Sequence, residues 1–247
     1  MKSNTIRIIT LMLAVLCISF YSEAKNSKAD NQKLDAQQKS LVAISSYTAQ
    51  GKIPELTEAL NEGLDAGVSI NEINEALVQL YAYCGFPRSL NGINTFRKVI
   101  DERKSKGITD KQGKEIKMHS NEGDRYERGR KVLEELTKMP QSKPAPGFGE
   151  FSPRIDAFLK EHLFADIFES DVLSYHQREL VTNAALASMS GVGSQLGAHL
   201  FFGMNVGITE AQYNDMFDLI EKTVGETEAN EGRAILKGLV NRVNTNK

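Results

Sequence analysis

Residues 51–72 read GKIPELTEALNEGLDAGVSINE and residues 191–212 read GVGSQLGAHLFFGMNVGITEAQ. A shift of 140 positions lays one on the other, so that Gly51 falls on Gly191, Leu56 on Leu196, Leu60 on Leu200, Gly63 on Gly203 and Gly67 on Gly207. The same shift sets Val68 on Ile208, Ser69 on Thr209 and Glu72 on Gln212. Ser69 and Thr209 each open a capping box: the hydroxyl accepts from the amide three residues on, and that residue's side chain reaches back. Just ahead of each cap, Gly67 and Gly207 suit the left-handed position at which a helix stops. Gly63 and Gly203 suit close approach of a second helix. Glycines, leucines and caps in common imply backbone constraints in common. The chain is therefore read as a tandem repeat of one helical unit.

The rest of the chain follows the same period. Ile73, Leu77 and Leu80 share one helix face, and Leu90, Ile93, Phe96, Val99 and Ile100 recur at helical spacing between about Arg88 and Lys104. No alternating run bounded by turn residues suggests a strand, so the fold class is all-α. Residues 105–121 are polar and aperiodic and read as connector. One helix near Arg125–Lys138 follows, then a linker with Pro140, Pro144, Pro146, Gly147 and Gly149. Ser152 and Pro153 restart the helical pattern, with Ile155, Phe158, Leu159 and Leu163 as the expected buried stripe. Another capping box, Ser174 to Gln177, opens a helix that runs to about Met189. The domains read as 38–104 for the first repeat, 105–150 for the connector with its helix, and 151–247 for the second repeat.

Ahead of these lies a different pattern. Lys2 and Arg7 precede an apolar stretch, Ile8 to Phe20, that is shorter than the ~20 residues of a membrane span. Ser22-Glu23-Ala24 supplies small residues at signal-peptidase spacing, so residues 1–24 are expected to be a cleaved secretory signal and 25–37 a flexible lead-in. Val15-Leu16 lacks the small residue that precedes a lipidated cysteine, which argues against lipidation at Cys17. The mature chain would then be periplasmic or secreted, without a membrane anchor, and Cys84 its single cysteine, with no internal disulfide framework. A net charge of -2 and a pI of about 6.1 give no electrostatic footprint for nucleic acid.

The helix from Ser174 to Met189 is largely apolar, yet Glu179, Thr182 and Asn183 form a polar stripe along it. Buried carboxylates need partners. The Gly191-Val192-Gly193 turn lets the next helix run back antiparallel with Gln195 and His199 on one face, which brings Glu179 and His199 within reach. A carboxylate beside an imidazole orients one ring nitrogen and leaves the other to move a proton near neutral pH. The same spacing also suits a satisfied core pair without chemistry. Arg178 and Arg88 are candidate anchors for a substrate carboxylate. Cys84 is either a site-lining thiol or a small buried hydrophobe. His119, His162 and His176 have no metal-ligand spacing, and His162 is expected to pack in the core. Tyr81, Tyr83 and Phe86 read as helix-end core packing.

Residues 176–182 (HQRELVT), 195–200 (QLGAHL) and 205–210 (NVGITE), with YAYCGFPRSLN at 81–91, resemble the carboxymuconolactone decarboxylase family and its alkylhydroperoxidase D-like relatives. The resemblance implies an alkylhydroperoxidase D-like helical unit, a homo-oligomer (trimer or hexamer), a small-molecule substrate and no cofactor. It makes Glu179 and His199 the catalytic pair, acting by proton transfer on a small carboxylate or lactone acid. The peroxidase branch carries two cysteines ahead of the histidine, and here those positions are Val192 and Gln195. That departure counts against a thiol-dependent peroxidase, the second reading. A catalytically silent oligomeric binding protein is the third. The first repeat places Lys39 and Ala59 where the second has Glu179 and His199.

Overall fold

The computed structural model describes residues 33–117 and 123–245. The expected signal at 1–24, most of the lead-in and His119 lie outside the described residues. Helices α1 (Ala36–Gln50), α2 (Ile53–Asp65), α3 (Ile70–Gln79), α4 (Tyr81–Cys84) and α5 (Phe86–Ser105) form the first unit. Next come α6 (Arg125–Thr137), the short α7 (Phe148–Phe151) and α8 (Pro153–Ala157), and a π-helix (Phe158–Ile167). Then α9 (Tyr175–Ala187), α10 (Gly193–Asn205), α11 (Glu210–Thr223) and α12 (Glu226–Thr245) complete the chain. The described residues hold no strand, so the fold is all-α.

Helix boundaries obey the spacing of the glycines. α2 and α10 start and stop 140 residues apart, as do α5 and α12, and α3 and α11 start 140 apart. Both capping boxes form: Ser69 Oγ accepts from the Glu72 amide, and Thr209 Oγ1 from the Gln212 amide. Gly67 and Gly207 adopt φ of +88° and +97°, a region that costs any residue with a Cβ. A Cβ on Gly203 would fall 1.8 Å from the Tyr213 hydroxyl, so α10 and α11 meet only because that position is bare. The first unit is looser at the equivalent point, with Ile44 Cδ1 3.1 Å from a Cβ on Gly63.

Two helices, α1 and α9, pack together at the centre. Leu41 and Ile44 of α1 meet Val181 and Ala185 of α9 in one apolar cluster, while Val42 joins Leu180, Ala184, Leu196, Tyr213 and Phe217 in a second. The connector is not idle. Backbone carbonyls of Lys111 and Gln112 accept from the Ile70 and Asn71 amides at 2.9 and 3.0 Å, satisfying first-turn donors of α3 that no helix can satisfy itself.

A third cluster joins α6 to the π-helix through Val132, Leu136, Phe164 and Phe168. Here the expected stripe is corrected. Leu163 is buried, but Ile155 and Phe158 are about half exposed, and the fully buried positions include Asp156 and Lys160. From Phe158 onward the wider winding of a π-helix, in which bonds span five residues, rotates each side chain away from its 3.6-residue face. His162, expected in the core, has 49% of its side chain exposed. Leu90 likewise faces outward at the start of α5, while Phe96 and Val99 are buried.

Candidate active site

The Glu179–His199 pair is built by three helices. α9 carries Glu179, and the turn at Gly191 (φ +78°) returns the chain so that α10 presents His199 to it. His199 Nδ1 lies 2.9 Å from Glu179 Oε2. Asn183, one turn beyond Glu179, donates from Nδ2 to the Glu179 carbonyl at 2.7 Å and to the His199 carbonyl at 3.1 Å, fastening the two helices at the level of the pair. Tyr213 of α11 donates to the Leu200 carbonyl at 3.0 Å and closes the floor.

Glu179 has no exposed surface and His199 has 8%. Burial pushes the Glu179 carboxyl above the usual carboxylate range, opposed by the charge and hydrogen bond of His199. Its second oxygen, Oε1, is buried without a hydrogen-bond partner, as is Asn183 Oδ1. A dry carboxylate with one bare oxygen holds a proton more readily than one in water. Tyr83 and Phe202 turn their edges toward the imidazole, with ring centroids 5.3 and 5.1 Å away. The Tyr83 hydroxyl is pushed up by burial and by the nearby Glu179 carboxylate, so it stays a neutral phenol.

Arg178 is placed differently from expectation. Its guanidinium is wholly buried and donates to Glu75 Oε2 at 3.0 Å, Gln79 Oε1 at 2.9 Å and the Ser170 carbonyl at 2.8 Å. These partners occupy the fork that a substrate carboxylate would need, so Arg178 is a strut between α3 and α9 and not an anchor for substrate. Gln79 also donates to Thr182 Oγ1 at 2.8 Å, which ties the Thr182 end of the polar stripe to the first unit.

Arg88 is exposed, with Nη1 3.7 Å from the Met189 sulfur. The Cys84 thiol donates to the Leu80 carbonyl at 3.2 Å, and the residue packs against the first-unit cluster. Burial pushes this thiol up to about 11. Its neighbour Tyr83 faces the second cluster instead. The structure thus unites Glu179 with His199, leaves Arg88 and Cys84 on a neighbouring surface, and adds Tyr83, Phe202, Asn183 and Tyr213. Tyr83 carries no sequence signal that separates it from core packing, because its contact with His199 spans over a hundred residues. In the first unit, Lys39 pairs with Asp215 at 3.3 Å and Ala59 is buried, so no second acid–imidazole pair forms there.

Among the described residues, no group of three or more His, Cys, Asp or Glu side chains is arranged to hold a metal ion. No described helix is long and apolar enough to cross a membrane. No curated protein matches the chain. The family model described as Carboxymuconolactone decarboxylase family matches residues 19–98. The match ends before Glu179 and His199 and contains Glu75 and Gln79, which bond Arg178, and Tyr83, whose ring meets His199.

Proposed function

We propose that the chain, whose residues 19–98 match the carboxymuconolactone decarboxylase family model, catalyses proton transfer on a small carboxylate or lactone acid. His199 moves the proton, and Glu179 sets the ring's charge and orientation. The observation that carries this reading is the 2.9 Å bond between His199 Nδ1 and a fully buried Glu179. That bond commits Nδ1 and leaves Nε2 as the working nitrogen. In decarboxylation the bond from carbon to the leaving carboxylate breaks, carbon dioxide departs, and the electron pair stays on carbon beside the lactone carbonyl. The imidazolium Nε2 then gives its proton to that carbon, and the ring recovers a proton from water. The homo-oligomer implied by the resemblance belongs to the same proposal, and sedimentation equilibrium checks it.

Wild type, His199→Ala and Cys84→Ser are compared over a panel of lactone acids and in a peroxide-consumption assay. The expected result is a fall of about 100- to 10,000-fold in kcat for His199→Ala, the range for loss of a positioned acid or base. Cys84→Ser should act like wild type. Peroxide consumption lost only in Cys84→Ser would replace this reading with a thiol peroxidase. A second reading, a catalytically silent binding protein that kept the fold, is favoured by one observation. Tyr83 and Phe202 flank His199, which lines neither the groove between Tyr81 and Leu163 nor the one between Glu72 and Gln177. Turnover absent from every lactone acid in folded wild type would favour it.

A further inference from the structure

A groove runs between the segment around Tyr81 and Phe86 and the run from Ile155 to Leu163. Its volume of about 550 Å³ falls in the range of small-molecule sites, about 300–1,000 Å³. Glu179 and His199 do not line it. On one wall Tyr81 and Phe86 stack, with centroids 4.4 Å apart and planes 19° apart. Ile155 and Phe158 supply further apolar surface, and Phe86 and Phe158 are 60% and 53% exposed. Flat apolar area left open to water inside a groove marks a binding surface more than a core.

The polar end of the groove is organised by one carboxylate. Asp166 has only 2% of its side chain exposed and does not line the groove. It receives His162 Nδ1 at 2.9 Å and Arg125 Nε at 3.2 Å, and Arg125 Nη2 pairs with it as well. His162 and Arg125 do line the groove. The pairing fixes the imidazole through Nδ1 and leaves Nε2, while Arg125 Nη1 takes no part in it. Tyr81 flanks the same imidazole at 5.5 Å. The Arg125 guanidinium and a His162 ring that donates from Nε2 once it is an imidazolium, both held by a buried acid beside aromatic faces, suit an anion carried on a flat apolar body. Glu161 also lines the groove, and its charge disfavours a ligand with a second negative group.

We propose that this groove binds a flat, apolar monocarboxylate as a free small molecule. The ring system lies against Tyr81, Phe86 and Phe158, and the carboxylate accepts from Arg125 and, when the ring carries its second proton, from His162 Nε2. This site is separate from the Glu179–His199 pair and stands whether or not that pair is catalytic.

Calorimetric titration of the full chain with cinnamate, and with its neutral amide cinnamamide, tests it. Wild type should bind cinnamate about tenfold more tightly than cinnamamide, the worth of one hydrogen bond to a charged group. Arg125→Gln and His162→Gln should each remove most of that preference, Phe158→Ser should weaken both ligands, and Glu161→Gln should tighten cinnamate. These side chains are at least partly exposed, and unchanged melting curves confirm that the variants fold. His199→Ala should bind cinnamate like wild type. Equal affinity for the two ligands, indifference to Arg125→Gln, no binding by folded wild type, or loss of binding in His199→Ala would each overturn the proposal.

Discussion

Glu179 has no exposed surface, and its burial has a sign that can be measured. Folding lifts its pKa above the ordinary 4.5. As pH rises past that value the unfolded chain loses this proton first, so between the unfolded and folded values the native state holds more protons. Stability contributed by Glu179 is therefore fullest below the ordinary carboxylate pKa and is lost as pH climbs through the folded one. Glu179→Gln should melt closer to wild type at pH 4 and gain on it at pH 8, in paired thermal scans. A variant that tracks wild type in parallel at both values would show the acid to be solvated. Cys84 yields a simpler test. A thiol pushed up to about 11 is almost wholly protonated at pH 7.5, so alkylation by iodoacetamide should be slow and should quicken about tenfold per pH unit. A fast, pH-independent reaction near neutrality would restore it as a reactive cysteine.

At the scale of the helices, the strut from α9 to α3 joins segments about a hundred residues apart in the chain. Arg178 is buried with its partner Glu75, whose side chain is 8% exposed. Removing one member of a buried pair strands the other, at a cost of about 3–5 kcal/mol. Arg178→Met should lose stability on that order in urea titrations, and adding Glu75→Gln should recover part of the loss, because the stranded charge goes with it. Additive losses would mean the two do not act as a pair. The join of α6 to the π-helix rests on a different constraint. A Cβ on Gly129 would lie 1.7 Å from the Lys160 carbonyl oxygen, backbone that cannot step aside. Gly129→Ala should cost about 1–3 kcal/mol or more from overpacking, read from the urea midpoint.

Over the whole molecule, the linker between α6 and α7 is held by a buried cation. Lys160, with no exposed surface, donates from Nζ to Asp156 Oδ1 at 2.8 Å, the Tyr126 hydroxyl at 2.7 Å and the Ser142 carbonyl at 2.9 Å. Asp156 Oδ1 accepts in turn from the Ala145 amide at 3.3 Å. The proline-rich stretch is thus tied down at two points to α6, α8 and the π-helix. Lys160→Met should free it, and limited proteolysis should cut first between residues 138 and 149. Cleavage elsewhere, with that stretch still protected, would show that the prolines alone hold it.

Much of this architecture was legible in the chain because the deciding signals are local. Capping residues, helix-stopping glycines and the 140-residue spacing act through the backbone within one or two turns, and they marked the boundaries of α3, α9 and α11. The acid–imidazole pair was legible for the same reason, since one tight turn joins its two helices. Burial at longer range was not. The π-helical winding that turned Phe158 outward and buried Lys160 packs closely against Gly129. The fate of Arg178 depended on Glu75 and Gln79, a hundred residues away, and the edge of Tyr83 on His199 is set by the same meeting of units. Local backbone chemistry is written in sequence order, whereas the partner of a buried charge is chosen by whichever surfaces meet when the helices pack.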